Sequence, residues 1–232
     1  MQINRRSARG PFDIVGDVHG CLAELLMLIS ELGYQVEADG NGFAVTSPTG
    51  RTLAFVGDLV NRGPHTVGVL RLVMRMVRSG QAICVAGNQD MVLAGALKHR
   101  TMKSTPGLMR ALKEFARESK QFRAEAVEFF ETLPSHCVLD DARLVIAHAG
   151  LPERLQGSNS ARARALALGG ESTGKMDEFG LPVRVNWAAA YRGQALVAFG
   201  HTPRCGATLA QQHRQPRHWL RLWRTPDRAA LS

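Results

Sequence analysis

The sequence predicts an α/β protein built on two packed mixed β-sheets flanked by helices. Two observations carry that expectation. Short apolar runs of strand length, FDIVG at 12–16, TLAFVG at 52–57, QAICVAG at 81–87 and LVAFG at 196–200, recur along the chain. Between the first three lie segments whose apolar residues repeat at three and four, the helical spacing.

Taken in order, 12–16 reads as a strand, 17–20 as a loop and 21–32 as a helix, with Leu22, Leu25, Leu26, Ile29 and Leu32 on one stripe and Gly33 at its C-cap. Residues 34–50 read as a two-strand excursion turning at DGNG, 39–42. After the strand at 52–57 comes a helix over 65–79, with Val69, Leu72, Val73, Met76 and Val77 set against Arg71, Arg75 and Arg78. A strand at 81–87 and a helix at 90–99 follow, then helical stretches at 107–118 and 121–131. Residues 136–150 form a hairpin with Asp140 and Asp141 at its tip, and 196–200 is the next strand. No linker splits the chain, so 1–232 is expected to be one domain. Residues 152–186 are expected to be an insert over a site, and 204–232 an atypical basic tail.

Composition narrows the function classes. Hydrophobic content of 45% and charged content of 21% describe an ordinary globule. The apolar stretches at 21–32 and 139–149 are broken by Glu24, Glu31, Asp140, Asp141 and Arg143, too early for a membrane span. No apolar segment follows the basic amino terminus, so no signal peptide is read. Cys21, Cys84, Cys137 and Cys205 are widely spaced, which fits a reducing cytoplasm and gives no disulfide framework. The net charge is +9, and residues 202–232, with six Arg and one Asp, supply more than half of it. The diffuse remainder gives no case for a stable nucleic-acid complex, though a positive cleft would still attract phosphate.

The chemistry lies in five loops: GDVHG at 16–20, GDLVNRG at 57–63, GNQD at 87–90, HAG at 148–150 and GHT at 200–202. They offer Asp17, His19, Asp58, Asn88, His148 and His201, each just after an apolar run. Mixed oxygen and imidazole donors suit Mn, Fe, Zn, Ni or Co better than Mg or Ca. Two such cations ~4 Å apart lower the pKa of a water, orient a phosphoryl group and neutralise developing charge. Arg62 is the expected clamp on phosphate oxygens, and Arg184 a second substrate contact. His65, His99, His136, His213 and His218 lack such settings and are given no metal role.

These motifs resemble the signatures GDxHG, GDxxDRG, GNH(E/D), HAG and GHT of calcineurin-like metallophosphoesterases of the phosphoprotein-phosphatase type. The resemblance spans about residues 12–203. Within that family GPFDIVGDVHGC at 10–21, LPSHCVLDDARLVIAHAGL at 133–151 and ESTGKMDEFGLPVRVNWAAAYRG at 171–193 are most similar to the phosphatase domain of bacterial polynucleotide kinase-phosphatases. The resemblance implies two Mn-class ions: Asp17 and His19 on the first, Asp58 bridging, and Asn88, His148 and His201 on the second. It implies removal of phosphate from nucleic-acid ends or nucleotides by a metal-bound hydroxide. Symmetrical diadenosine tetraphosphatases, protein Ser/Thr phosphatases and an inactive metal- or phosphate-binding protein remain as alternatives.

Two positions depart from the family pattern. The His that protonates the leaving oxygen is Gln89 here, and the Asp that holds it is Asn61. A carboxamide delivers no proton near neutral pH, so weakened turnover of poor leaving groups is expected. After GHTP the chain lacks the family's Asp-Thr-Gly turn, so the C-terminal hairpin is expected to be altered or missing.

Overall fold

The computed structural model describes residues 2–40, 42–99, 105–178, 182–201, 208–210 and 220–223, the last two for their backbone. In chain order its elements are β1 (Asn4–Arg5), β2 (Phe12–Val15), α1 (Leu22–Glu31), β3 (Gln35–Asp39), β4 (Gly42–Thr46), β5 (Thr52–Phe55), α2 (Thr66–Arg78), β6 (Ala82–Cys84), α3 (Asn88–His99), α4 (Pro106–Ala116) and α5 (Lys120–Thr132). Then come β7 (His136–Leu139), β8 (Leu144–Ala147), a 3₁₀ turn at Glu153–Leu155, α6 (Ala161–Gly169), β9 (Ser172–Met176), β10 (Pro182–Arg184), α7 (Trp187–Ala190), β11 (Leu196–Phe199), β12 (Thr208–Ala210) and β13 (Leu220–Trp223).

Two sheets face each other. One is all parallel, in the order β13-β2-β5-β6, and the other is mixed, in the order β1-β7-β8-β11-β12. Their shared core follows from strand alternation, which sends every second side chain to one face. Phe12, Ile14, Ala54, Val56, Ile83 and Val85 meet Cys137, Leu139, Leu144, Ile146, Leu196 and Ala198 between the sheets. The alternate residues Val15, Leu53, Phe55 and Cys84 pack against the helices. Strands covered on both faces read as unbroken apolar runs, which is why the sequence shows them so clearly.

The helices bury the faces their spacing foretells. On α2, Val69, Leu72, Val73 and Met76 are inside, while Arg71, Arg75 and Arg78 pair outward with Glu118, Asp39 and Glu125. Helices α4, α5 and α6 start at Thr105, Ser119 and Ser160, whose hydroxyls accept the N–H of Leu108, Phe122 and Ala163 at 3.3, 3.0 and 3.2 Å. Between 152 and 186 the chain forms α6, with Ala163 and Ala167 buried, and the exposed hairpin β9–β10. Cys84 is core, as expected, and Cys205 lies outside the described residues.

The tail departs from what its composition suggests. Strand β12 pairs antiparallel with β11, and β13 pairs parallel with β2, so each closes the edge of a different sheet and the two do not form a hairpin. These pairings cover one edge of each sheet.

Candidate metal centre

Five loops converge at the carboxyl ends of β2, β5, β6, β8 and β11. Their backbones are tied together. The N–H groups of Val18 and His19 donate to the Asp58 carbonyl at 3.0 and 2.9 Å, and Gly200 N–H donates to the His148 carbonyl at 2.8 Å. His201 N–H donates to Asp17 Oδ2 at 3.1 Å. His19, Asp58, Asn61, Arg62 and His201 all lie at left-handed φ, between 48° and 68°. Such backbone strain in non-glycine residues is held only where the surroundings enforce it, and it clusters at functional sites.

Close approach needs glycine at one point in particular. A Cβ on Gly87 would stand 2.0 Å from the Asp58 amide nitrogen and 2.3 Å from its Oδ1. The Gly-Asn pair therefore lets the β6 loop pass directly over the Asp58 carboxylate.

All six expected ligands come together. His148 Nε2 lies 2.9 Å from Asn88 Oδ1 and 3.0 Å from His201 Nδ1, and those two atoms are 2.9 Å apart. On the other side of Asp58, His19 Nε2 lies 3.8 Å from Asp17 Oδ2 and 3.8 Å from Asp58 Oδ2. Asp58 Oδ1 is 3.4 Å from His148 Nε2, so each of its oxygens addresses a different imidazole. Asp17, Asp58 and His148 place donor atoms within 4.8 Å of one another.

Proton positions test whether cations fit this arrangement. His148 Nδ1 donates to the Val56 carbonyl and His19 Nδ1 to the Val60 carbonyl, each at 3.2 Å. Those bonds fix the tautomer, leaving both Nε2 lone pairs directed inward. His201 Nδ1 faces the same space, beside His148 Nε2 and Asn88 Oδ1. Lone pairs thus face an amide oxygen and carboxylates, an arrangement that repels itself unless cations lie between. Burial acts in the same sense. It pushes the Asp17 carboxyl up to about 6, opposed by His148 and reinforced by Asp58. Burial also raises Asp58 against the Gln89 N–H and Arg62, and lowers His148 against Asp17. His201 is driven down to about 4 by burial first and then by His148, Arg184 and Arg62. A site that disfavours its own carboxylate charge and keeps its imidazoles neutral fits divalent cations.

The two arginines named from sequence are here as well. Both are exposed; the charge of Arg62 is felt at Asp17, Asp58 and His201, and that of Arg184 at His201. Asn61 and Gln89 meet: Asn61 Nδ2 donates to Gln89 Oε1 at 3.1 Å. His136 is buried with Nε2 accepting the Gly157 N–H at 2.9 Å. His65 precedes α2, its N–H donating to the Gly20 carbonyl at 3.0 Å, while His99 ends α3 and His213 and His218 lie outside the described residues.

One residue of the site escaped the sequence reading. Asp90, fully buried, accepts the N–H groups of Gly87, Asp58 and Leu59, each at 2.9 Å. Its carboxylate clamps the backbone that carries Asp58 and Asn88. The available signal was its position in the first turn of α3, where carboxylates accept free backbone N–H groups.

This fold and this cluster define a metallophosphoesterase, and the chain belongs to the calcineurin-like phosphoesterases, whose pattern matches residues 10–205. Among its relatives are proteins named asymmetrical bis(5'-nucleosyl)-tetraphosphatase PrpE. Those from Halalkalibacterium halodurans and Anoxybacillus flavithermus are 40% and 37% identical over 196 residues, covering 83% of this chain and 78% of theirs. A solved structure provisionally named a diadenosine tetraphosphatase superposes with a TM-score of 0.57 at 25% identity, covering 86% of this chain and 78% of its own. A yeast protein serine/threonine phosphatase structure, at 16% identity and a TM-score of 0.54, shares the fold. The relatives are thus named as nucleotide hydrolases, whereas the sequence resemblance had pointed first to the polynucleotide kinase-phosphatases. Among the described residues no helix is long and apolar enough to cross a membrane.

Proposed function

We propose that this chain is a metal-dependent hydrolase of dinucleoside tetraphosphates, cleaving a phosphoanhydride asymmetrically. Two Mn-class cations would be held by Asp17, His19 and Asp58 on one side and by Asp58, Asn88, His148 and His201 on the other. When bound, such a pair supplies activation of the attacking water and neutralisation of charge on the phosphoryl group. Arg62, whose charge is felt at both carboxylates, orients the non-bridging oxygens. Arg184 contributes positive charge on the His201 side.

The observation that carries the substrate class is the contact between Asn61 and Gln89. Neither carboxamide delivers a proton, so the favoured leaving group is one that departs as a stable anion. A phosphate oxygen, with a pKa of ~6, does so near neutral pH, whereas a sugar hydroxyl does not. The tetraphosphatase names of the relatives support the same choice over phosphorylated nucleic-acid ends.

Separation of the products of diadenosine tetraphosphate cleavage by Mn-loaded protein tests the proposal. Equal amounts of ATP and AMP are expected, with no turnover after chelation or in Asp58→Ala. Two molecules of ADP would make the cleavage symmetrical. Release of phosphate from a 3′-phosphorylated oligonucleotide with the tetraphosphate untouched would restore the nucleic-acid-end reading.

A further inference from the structure

A cavity of about 410 Å³ adjoins the metal centre, lined among others by Gly150, Leu166, Gly170, Val185, Trp187 and Tyr191. Its volume lies in the range of small-molecule sites, and its lining is mostly apolar and aromatic. We propose that it seats a nucleobase, so that Trp187 determines the preference for a nucleoside end on the substrate. The proposal rests on the function proposed above and names the part of the substrate that the metal cluster does not touch.

Three structural links tie the cavity to the cluster. Gly150 ends the HAG motif that begins with His148, and a Cβ there would stand 1.8 Å from Trp187 Cζ2, so the indole lies directly on the motif's backbone. The end of α6 touches both places: the N–H of Ala149, next to His148, donates to the Ala167 carbonyl at 2.7 Å, and Gly170 lines the cavity. Arg184, whose charge reaches His201, passes Gly170, with its Cδ 4.0 Å from the position a Cβ would take. A phosphate chain held at the cations and Arg184 therefore has its next group delivered to the cavity.

The indole is fixed for stacking. Trp187 meets Tyr191 edge-on, centroids 5.7 Å apart at 84°, and Phe199 at 4.9 Å and 57°. Tyr191 is itself held, donating to the Ala195 carbonyl at 2.9 Å and accepting from Gln156 Nε2 at 3.0 Å. Trp187 remains only partly buried, so a pre-positioned indole surface is left for a flat ligand. Stacking on such a ring is tolerant of base identity. The charged side chains of Arg154, Glu171 and Arg192 in the same lining offer donors and acceptors to the base edge and ribose.

Calorimetric titration of the Mn-loaded protein with AMP and with ribose 5-phosphate, which differ only in the base, tests this directly. The native protein is expected to bind AMP roughly 10-fold more tightly or better. In Trp187→Leu that ratio should collapse towards one with ribose 5-phosphate affinity unchanged. Ala190→Trp, which fills the cavity from its exposed wall and leaves Trp187 in place, should give the same collapse. Equal affinity for the two ligands in the native protein, no AMP binding, or a ratio that survives Ala190→Trp overturns the proposal. A base-dependent ratio in a protein that does not hydrolyse the tetraphosphate would sink the proposed function and leave the cavity's role standing. Hydrolysis without the ratio would do the reverse.

Discussion

Asn61 Nδ2 donates to Gln89 Oε1 at 3.1 Å, while Asn61 Oδ1 is buried without a hydrogen-bond partner among the described residues. Two carboxamides occupy the places where the family pattern sets a carboxylate and an imidazole, and they keep the contact but lose the acid. Restoring the pair with Asn61→Asp and Gln89→His should raise turnover of an alkyl phosphomonoester roughly 10-fold or more, a fraction of a general acid's usual contribution. Gln89→His alone should gain less, because nothing then fixes the ring's tautomer or supports its charge. Steady-state kinetics on Mn-loaded variants gives the answer; no gain in the double variant with metal content intact would contradict it.

Asp90→Asn should weaken the centre without touching a cation. The substitution removes one of two oxygens that accept three backbone N–H groups and faces an amide against them. A buried unsatisfied donor costs about 1–3 kcal/mol, and loss of a ligand's supporting contact typically lowers metal affinity by roughly 10- to 100-fold. Thermal denaturation and Mn titration should both show the loss. A native melting temperature with native affinity would remove Asp90 from the site.

Gly87→Ala should displace Asp58, since the new Cβ would meet that residue's amide nitrogen at 2.0 Å. Mn affinity is expected to fall by about 10-fold or more. Gly40→Ala serves as the control, because nothing lies within 4 Å of a Cβ at Gly40. Equal affinities in the two variants would mean that the β6 loop does not hold Asp58.

Acidification should release the cations through the carboxylates before the imidazoles. Asp17 sits at about 6 in the folded chain, above its unfolded value, so without cations it stabilises the fold most when protonated and loses that contribution as pH rises through about 6. Cation binding requires the charged form and therefore displaces a proton below that pH. His201, driven down to about 4, is already neutral there and releases none. Mn titration in buffers of different ionisation enthalpy should show protons released at pH ~5.5 by Asp17 and Asp58 together, and fewer in Asp17→Ala. Equal release at that pH by the native protein and Asp17→Ala would exclude Asp17 as a ligand.

Much of this architecture was legible in the sequence because burial on both faces writes central strands as apolar runs, and ligand loops follow them. Asp17, His19, Asp58, Asn88, His148 and His201 all meet where their loops converge. Asp90 was not legible, since a carboxylate in the first turn of a helix is ordinary and its partners at 58 and 59 are distant in sequence. Nor was the cavity, which arises where residues 149–150, 170 and 187–191 pack together. Strands β12 and β13 were missed because short edge strands need no alternation when their pairing partners supply the order.

The most direct test is the ratio of kcat/KM for diadenosine tetraphosphate to that for a 3′-phosphorylated oligonucleotide, measured on the same Mn-loaded protein. A centre without a proton donor at Gln89 should favour the anhydride by roughly 100-fold or more, matching the lower bound on what a general acid contributes to a poor leaving group. Equal rates, or faster cleavage of the alkyl ester, would show that another group supplies the proton and that the Asn61–Gln89 contact does not select the substrate.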